Sequence, residues 1–375
     1  MALRYTNTEF ERLALANVIN LSDGHARQTL SSKQRAIFAS TDQYLEELHG
    51  RTQDDIESEF IELFLSCARQ ESSWDIRRQY LNYSASSALS LAALLCRQRG
   101  RRALLIEPCF DNIRHLLLAH QVEVEAISEE TLTNPAELRE KLGPDVMLWI
   151  VQPNNPTGFC LDEQTFNQLA DVLEESGAGL VVDFTFRFFA PSLYEWRQYD
   201  LFDRTGIDYI AIEDTGKTWA AADLKVGMTV CSQSLAPMVH ELHDQLLLNV
   251  SPLTLMILIE FLRDSELQGV ASAVRSEVDR NRATVRRLVD DNLVALASQM
   301  CGNVPLELLE LPPTLDAMDF WKSLRSRRVD ILPASNYYWT SPFRGRNQFR
   351  IPLSRPRFVI DEAVSIIAKE LRKSP

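Results

Sequence analysis

The sequence predicts an α/β protein with a large domain on a mixed, mostly parallel sheet and a small α+β domain near the C-terminus. The chain has 375 residues, 45% of them hydrophobic, which is enough to bury the cores of two such domains. Short apolar runs that are typical of buried strands alternate with segments of helical periodicity. This alternation is typical of parallel strands joined by crossover helices, and no repeat or low-complexity segment interrupts it.

Four short apolar runs predict strands of the large sheet. They cover residues 103–107, 146–151, 179–182 and 209–213. Residues 162–176 carry apolar side chains at helical spacing and are followed by Gly177, a common helix stop. We therefore expect a crossover helix between the second and the third of these strands.

The last third of the chain predicts a long helix and then the small domain. A helical stretch from about residue 252 to 291 leads out of the large domain. Strand-like runs at 329–332 and 349–351 precede a final helix near 360–371. We divide the chain into an N-terminal segment (1–40), a large domain (41–255) and a C-terminal part with the linking helix and the small domain (256–375).

Charge and cysteine pattern exclude several classes of protein. A formal net charge of −13 and a pI near 5.1 do not suit a surface that binds nucleic acid. The polar N-terminus lacks the apolar stretch of a signal peptide, and no apolar run is long enough to span a membrane. Six cysteines without a close pair match neither a disulfide framework nor a zinc site. We expect a cytoplasmic protein that acts on a small molecule, with no nucleic-acid or membrane partner.

Polar motifs follow three of the predicted strands. Asn155 lies in an Asn-Asn-Pro-Thr-Gly segment, Asp183 follows the third strand, and Lys217 ends a Glu-Asp-Thr-Gly-Lys segment after the fourth. Ligands bind at the carboxyl ends of parallel strands, because the loops there separate and helix N-termini point inward. Taken singly, the motifs also fit a plain turn, a helix N-cap and a surface lysine. Their joint position at one sheet edge favours a binding site.

The order and spacing of these motifs resemble those of the class I aminotransferase group of fold-type I enzymes, which use pyridoxal 5′-phosphate (PLP). The resemblance implies the aspartate aminotransferase fold. It implies that Lys217 carries PLP as a Schiff base and then acts as a general base. Asp183 would pair with the pyridine nitrogen, and Asn155 would hydrogen-bond the ring hydroxyl.

The same resemblance assigns further residues to the cofactor. Phe110 would stack on the pyridine ring, and Ser84 and Ser86 would open a helix whose N-terminus holds the phosphate. Thr185 belongs to the same cofactor shell. Lys225 stands where the family usually has a phosphate-binding arginine, and a lysine neutralises phosphate without the bidentate fork. Apart from the resemblance, Phe110 also fits a core position and the serines fit a capping segment.

A late arginine is expected to bind the substrate. Arg350 matches the family arginine that holds a substrate α-carboxylate with two parallel hydrogen bonds. Other arginines lie nearby in the sequence, and the Ile-Pro-Leu-Ser segment after residue 350 identifies the matching one. The resemblance therefore implies an α-amino acid substrate.

Two positions depart from an ordinary aminotransferase. Phe186 replaces a tyrosine that bonds the cofactor hydroxyl in the family, and Asp214 stands where serine is usual. These changes remove cofactor hydrogen bonds and add an acid near the site, so we expect the chemistry to have diverged.

The N-terminal segment carries a second resemblance. The Asp-Gly-His-Ala-Arg-Gln run at residues 23–28, with Thr8 and Glu11 before it, resembles the PLP-dependent arginine oxidases and hydroxylases of enduracididine biosynthesis. The likeness extends over almost the whole chain and includes the Phe186 and Lys225 departures. In that family the N-terminal segment (1–40 here) folds as a lid over the active site of the PLP-binding domain.

This second resemblance implies a pocket for the substrate's guanidinium. Glu11 would accept the guanidinium, with Thr8, Asp23 and Asp214 completing the pocket, because a planar cation with five donors needs such acceptors. His25 would move protons during oxidation beyond the α-carbon. On sequence alone, Glu11 also fits a solvated helix position, and His25 also fits a structural hydrogen bond in its turn.

The resemblance implies an enzyme that oxidises free L-arginine with PLP as cofactor and O2 as co-substrate. The expected product is 4-hydroxy-2-oxo-arginine, with 2-oxo-arginine as a side product. Two alternatives stay open: a 4,5-desaturase of the same family, and a conventional aminotransferase that uses a basic amino acid. A PLP-sensing regulator would also share the fold but needs a DNA-binding module. Fold-type I enzymes also imply a homodimer.

Overall fold

The protein is described by a computed structural model that covers residues 5–71, 78–300 and 302–373. Its strands are β1 (Ile19–Leu21), β2 (Gln79–Asn82), β3 (Arg102–Glu107), β4 (Val124–Ser128), β5 (Val146–Val151), β6 (Gly179–Asp183), β7 (Tyr209–Asp214), β8 (Gly227–Cys231), β9 (Ala295–Leu296), β10 (Leu306–Glu310), β11 (Val329–Pro333) and β12 (Gln348–Pro352).

The helices surround and connect these strands. They are α1 (Asn7–Ala14), α2 (Ser32–Ala39), α3 (Thr41–Glu47), α4 (Gln53–Cys67), α5 (Ala85–Gln98), α6 (Asp111–Ala119), α7 (Glu129–Leu132), α8 (Pro135–Lys141), α9 (Glu163–Ser176), α10 (Gln198–Thr205), α11 (Ala236–Leu246), α12 (Pro252–Gln268), α13 (Val270–Asp290), α14 (Ala317–Arg325) and α15 (Arg357–Leu371). Among the helices of the described chain, none has the length and hydropathy needed to cross a bilayer.

The larger sheet has the strand order β2-β8-β7-β6-β5-β3-β4. Strands β4, β3, β5, β6 and β7 pair in parallel, and β8 and β2 add antiparallel pairs at one side. The central strands are buried along their whole length, because helices cover both faces of a parallel sheet. The four predicted strands and the crossover helix α9 are confirmed, as is the α/β class with the aspartate aminotransferase-like architecture.

The predicted long helix is two helices in the structure. α12 ends at Gln268 and α13 begins at Val270, with Gly269 between them at a φ of 78°. A residue with a side chain rarely adopts this backbone conformation, so glycine permits the break. The sequence pattern missed it, because a single glycine inside a helical stretch does not by itself mark a break.

The smaller sheet has the order β1-β11-β12-β10-β9. The predicted strands β11 and β12 are confirmed and pair antiparallel. The N-terminal strand β1 pairs in parallel with β11, with Ile19 opposite Val329. The N-terminal segment therefore contributes an edge strand to the C-terminal sheet, a pairing that the sequence pattern did not predict.

Helix α1 is held firmly at its place beside the smaller sheet. Thr6 caps it and forms a complete capping box with Glu9. The Phe10 ring packs against Trp321, with 5.0 Å between ring centroids. The Asn7 main-chain N–H donates to the Asp111 carboxylate at 3.0 Å. These contacts fix the helix backbone relative to both sheets.

A buried ion pair lies beneath the carboxyl end of β7. Arg187 Nη2 lies 2.8 Å from Glu213 Oε1, and the Tyr199 hydroxyl donates to the same carboxylate at 2.5 Å. Arg187 Nη1 donates to Gln198 Oε1 at 2.5 Å, and the guanidinium lies 4.1 Å from the centre of the Phe184 ring. The pair links the loop after β6 to the end of β7.

Candidate active site

A cavity of about 370 Å³ lies at the carboxyl ends of β5, β6 and β7. Its size is in the range of small-molecule sites. The side chains that line it come from both sheets and from the N-terminal segment. They are Thr8, Glu11, Gly24, His25, Ser84, Ala85, Ser86, Leu89, Phe110, Asn112, Ile113, Val151, Asn155, Asp183, Thr185, Phe186, Asp214, Lys217, Lys225 and Arg350.

All the predicted site residues except Asp23 line this cavity. Parallel strands end at one sheet edge, which brings their terminal motifs together although they lie far apart in sequence. The sequence did not identify Asn112, Leu89 or Ile113, since isolated residues on a helix carry no recognisable motif. Asn112 Nδ2 donates to Ser86 Oγ at 3.1 Å and so orients a predicted phosphate ligand.

Lys217 follows β7 and lies beside the N-terminal turn. Its main-chain N–H donates to Asp214 Oδ1 at 3.1 Å. A β-carbon placed on Gly24 would lie 3.8 Å from Lys217 Nζ and 3.6 Å from Arg350 Nη1. The Lys217 amine and the Arg350 guanidinium therefore both lie close to Gly24 and face the same part of the cavity.

Asp183 is a buried carboxylate at the end of β6. Its Oδ1 accepts a hydrogen bond from the Thr185 main-chain N–H at 2.9 Å. Burial raises the pKa of Asp183 to about 6, and the charges of Asp214 and Glu213 act in the same direction. Within the described parts of the chain no cationic side chain forms an ion pair with it. Such a carboxylate fits a ligand that brings a positive charge.

The Asn155 loop and Phe110 form the next wall. The Tyr337 hydroxyl donates to Asn155 Oδ1 at 3.4 Å, and the Tyr337 ring lies 6.2 Å from the Phe110 ring. Tyr337 is fully buried between the two sheets. The sequence did not identify it, because a tyrosine next to Tyr338 and Trp339 carries no recognisable motif of a site.

The N-terminus of α5 reaches the cavity through a close contact with β8. Ser84 caps the helix and accepts the Ser87 main-chain N–H at 3.2 Å. A β-carbon on Gly227 would lie 2.5 Å from the Ser84 carbonyl carbon, so only glycine permits this approach. Lys225 comes from the segment just before β8. A helix N-terminus with an added lysine is suited to bind an anion.

Asp214 lies between Lys217 and this helix N-terminus. Its Oδ2 accepts the Ala85 main-chain N–H at 3.1 Å, while Oδ1 accepts that of Lys217. Both carboxylate oxygens are therefore engaged by main-chain groups. An anion at the start of α5 would share the helix terminus with this carboxylate.

Arg350, on β12, is fully buried and contacts the N-terminal segment. Its Nη2 lies 3.2 Å from Glu11 Oε1 and also donates to the Ser22 carbonyl oxygen. Its Nε is buried without a hydrogen-bond partner in the described chain. The guanidinium thus keeps donor capacity that the protein does not use.

Asp23 is the one predicted site residue that is not among those lining the cavity, and its role in substrate binding stays a prediction. Its carboxylate contacts His25 Nδ1 and accepts the His25 main-chain N–H at 3.0 Å, and Arg27 Nε lies 3.3 Å away. Burial acts to raise the pKa of Asp23, but the His25 hydrogen bond and the charges of His25, Lys217 and Arg355 outweigh it and hold the pKa well below its usual range.

Arg355 holds the N-terminal turn and was missed by sequence reasoning. Its guanidinium donates to the carbonyl oxygens of Asn20, at 2.9 Å, His25, at 2.6 Å, and Asp23. Burial lowers the pKa of Arg355 to about 10. The three acceptors are main-chain groups, which a sequence pattern cannot reveal.

The site fits PLP in three respects. A lysine lines the cavity, where it can carry the cofactor. The buried Asp183 carboxylate has no cationic partner in the described chain and would pair with a protonated ring nitrogen, and the nearby Thr185 Oγ1 is buried without a partner there. The N-terminus of α5 and Lys225, which also line the cavity, would hold the phosphate. These features match the chemistry of the cofactor from end to end.

The chain is similar to members of one enzyme family. The family model described as aminotransferase class I and II matches residues 16–367. The aspartate aminotransferase of Pyrococcus horikoshii is 25% identical over 198 residues, which are 51% of this chain and 50% of that protein. The chain thus matches about half of the length of this curated relative.

Solved structures extend the similarity over nearly the whole chain. The structure of MppP soaked with the product 2-ketoarginine is 30% identical, with a TM-score of 0.87, and covers 94% of this chain and 99% of that chain. The aspartate aminotransferase of Thermus thermophilus with maleate is 13% identical, with a TM-score of 0.78, covering 98% and 97%. YbdL from Escherichia coli, with a methionine aminotransferase function, is 15% identical, with a TM-score of 0.79, covering 98% of each chain. The last two similarities show the fold alone.

The family match and the site agree on the cofactor. PLP is expected throughout this family, and the residues of the cavity fit it. The chain belongs to the aminotransferase class I and II family of fold-type I PLP enzymes.

Proposed function

We propose that this protein is a PLP-dependent oxidase of free L-arginine that yields mainly 4-hydroxy-2-oxo-arginine, with 2-oxo-arginine as a side product. One observation carries the proposal: a single cavity holds Lys217, Arg350 and, from helix α1, Thr8 and Glu11. The N-terminal helix thus adds a carboxylate and a hydroxyl to an amino-acid site. The similarity to MppP, a structure that was soaked with 2-ketoarginine, supports the same substrate.

The cofactor would be held by residues on the large sheet. Lys217 would carry it, Asp183 would pair with its ring nitrogen, and Asn155 would bond its ring hydroxyl. Phe110, Thr185, Ser84, Ser86 and Lys225 would contact its ring and its phosphate. When bound, PLP supplies an electron sink that stabilises negative charge at the substrate's α-carbon.

The substrate would lie between the small sheet and the N-terminal helix. Arg350 would hold the α-carboxylate, for which its buried guanidinium has unused donors. Glu11 and Thr8 would receive the guanidinium, and we retain Asp214 as a further acidic neighbour of the pocket. The Asp23 side chain would act through His25, since its carboxylate contacts that ring.

Two residues would move protons. Lys217 Nζ would take the proton from the α-carbon. His25 would take protons released farther along the side chain: Asp23 faces its Nδ1, which leaves Nε2 of the neutral ring as an acceptor on a residue that lines the cavity. Oxygen would accept two electrons at a time and leave as hydrogen peroxide, and water would add at Cγ.

Oxygen uptake by the purified holoenzyme tests this proposal. With L-arginine and no keto acid, we expect sustained oxygen consumption, peroxide and ammonia release, and mass-spectrometric detection of the hydroxylated keto acid. Lys217→Ala is the control and should show neither turnover nor a lysine-bound cofactor spectrum. A reaction that stops after one turnover and resumes with a keto acid would make the protein a conventional aminotransferase, and a dehydroarginine product would make it a desaturase.

We also propose that the protein acts as a homodimer. Leu246 is half-exposed and Leu248 is 94% exposed, and both lie close in sequence to Asn249, whose carbonyl oxygen is 3.5 Å from the Tyr83 hydroxyl. Tyr83 directly precedes the α5 N-terminus at the cavity, so a second copy of the chain on this apolar surface would cover the phosphate side of the site. Light scattering should give twice the chain mass, and a monomer at assay concentration would contradict the proposal.

A further inference from the structure

The two residues proposed to bind opposite ends of the substrate are paired with each other. Glu11 Oε1 lies 3.2 Å from Arg350 Nη2, and the two residues are 339 positions apart in the chain. The Arg350 side chain is 1% exposed and that of Glu11 is 15% exposed. The pair is therefore largely shielded from water, where a charge without a partner costs several kcal/mol.

A guanidinium holds a carboxylate with two parallel hydrogen bonds through Nε and Nη2 or through Nη1 and Nη2, and both arrangements use Nη2, the nitrogen that Glu11 occupies. Arg350 Nη2 already bonds both Glu11 and the Ser22 carbonyl oxygen. Gly24 also lies close to the guanidinium, since a β-carbon there would lie 3.6 Å from Nη1 and 3.7 Å from Nη2. Two carboxylates on one buried guanidinium repel each other. Binding of the substrate's α-carboxylate therefore favours release of Glu11.

Glu11 can leave without disturbing its helix. Helix α1 is fixed by the packing of Phe10 on Trp321 and by the bond from Asn7 to Asp111. The Glu11 side chain lines the cavity and has three rotatable bonds, so its carboxylate can turn towards a ligand while the backbone stays in place. Once released, it remains inside a mostly buried site.

We infer that Glu11 exchanges partners: it holds Arg350 in the free enzyme and passes to the distal cation of the substrate when the substrate's carboxylate takes Arg350. This inference rests on the proposed function. A ligand with a carboxylate and a cation replaces both halves of the internal pair. A ligand with only a carboxylate leaves Glu11 without a partner, and the cost of that buried charge opposes its binding. Glu11 thus selects arginine partly by rejecting amino acids that lack a cation.

Two inert ligands separate this exchange from a simple contact. 5-Guanidinopentanoate has the carboxylate and guanidinium of arginine but no amino group to react with the cofactor, and pentanoate lacks the guanidinium as well. Calorimetric titration of the holoenzyme and of Glu11→Gln should show opposite changes. We expect 5-guanidinopentanoate to bind about tenfold or more weakly in the variant, and pentanoate to bind about tenfold more tightly. A simple acceptor role predicts the first change without the second.

Glu9→Gln is the matched control on the same helix. It removes one charge two positions away, while its side-chain oxygen can still accept the Thr6 main-chain N–H of the capping box. Both affinities should stay unchanged in this variant. Glu11→Ala should also weaken the binding of 5-guanidinopentanoate and strengthen that of pentanoate. Agreement between the two variants would show that the changes do not come from a folding defect of one of them.

The other possible outcomes contradict either the exchange of partners or the proposed function. Unchanged or weaker pentanoate binding in both Glu11 variants overturns the exchange and leaves the arginine proposal intact. Unchanged 5-guanidinopentanoate binding removes Glu11 from cation recognition and also overturns the exchange. If the parent enzyme binds the two ligands equally and shows no oxygen uptake with arginine, the proposed function itself fails.

Discussion

Glu213 and Asp214 are neighbours on β7, yet their carboxylates lie in opposite surroundings, because successive side chains of a strand point to opposite faces. Glu213 enters the enclosed cluster, which we define as Arg187, Tyr199, Gln198 and Glu213, where its charge is paired within the protein. Asp214 faces the cavity, whose other polar groups include Asp183 without a cation.

The comparison distinguishes charged groups that stabilise the fold from charged groups that are available to bind a ligand. The enclosed cluster is fully buried and supplies its own counter-charge, so its removal should affect folding. The cavity keeps unused capacity at Arg350 Nε, Thr185 Oγ1 and the Asp183 carboxylate. Unpaired buried groups cost stability, and the ligands that pair them recover it.

The largest effect is expected in the enclosed cluster. Glu213→Ala leaves the Arg187 guanidinium buried without a counter-charge, which should lower the free energy of unfolding by about 3–5 kcal/mol. Urea denaturation measures the loss. Glu175→Ala, which removes a solvent-exposed partner of Arg139, is the control and should change stability little. Equal stability of parent and Glu213→Ala would show that the cluster does not stabilise the fold.

A smaller effect of opposite sign is expected at Asp183. In the cofactor-free protein its pKa is raised from 3.8 to about 6, so the folded state binds the proton more tightly and stability falls as pH rises through that interval. Asp183→Asn should remove this fall and leave the cofactor-free protein about 3 kcal/mol more stable than the parent above pH 7. Thermal melts across this pH range provide the comparison.

The Asp183 experiment has an internal control. The pKa of Asp111 is also raised to about 6, mainly by burial, but this residue is present in both proteins, so the difference between their curves isolates Asp183. Adding PLP should stabilise the parent more than the variant, because the ring nitrogen supplies the missing cation. If Asp183→Asn is no more stable than the cofactor-free parent, Asp183 does not lack a partner.

The smallest effect on stability is expected at His25, where the replacement should instead change the reaction products. His25→Ala should fold like the parent and keep the first oxidation, which Lys217 can begin alone, but lose most of the hydroxylated product. Chromatography should therefore show a shift towards 2-oxo-arginine. His49→Ala, at an exposed position, is the control. An unchanged product ratio would make His25 a structural residue of the Asp23 turn and move proton transfer to another group, with Asp214 the first candidate.

The sequence predicted the residues whose position follows from chain topology. Asp183 ends a parallel strand, Asn155 and Lys217 follow the ends of two others, and the sheet brings such ends together whatever the rest of the chain does. Arg350 was placed through its neighbours in a motif. The helix break at Gly269 was missed because a single glycine between two helical segments is compatible with one long helix.

Contacts between distant segments could not be predicted in the same way. Nothing local in β1 indicates that it pairs with β11, and nothing in Arg355 indicates that it binds main-chain carbonyl groups of the N-terminal turn. The position of the Asp23 carboxylate depends on that turn, so the sequence could not show that His25 and Arg27 are its partners. The pairing of Glu11 with Arg350 depends both on the pairing of β1 with β11 and on the contacts of Arg355 with the N-terminal turn.

The placement of the N-terminal segment has a consequence for synthesis in the cell. Glu11 leaves the ribosome 339 residues before Arg350, and at about 5–20 residues per second this delay is roughly 15–70 s. During that time α1 and β1 lack β11 and β12, the strands with which they complete the cavity. A nascent chain can form the large sheet while its candidate active site still lacks one wall, so catalysis cannot begin until translation has passed the last strand of the small sheet.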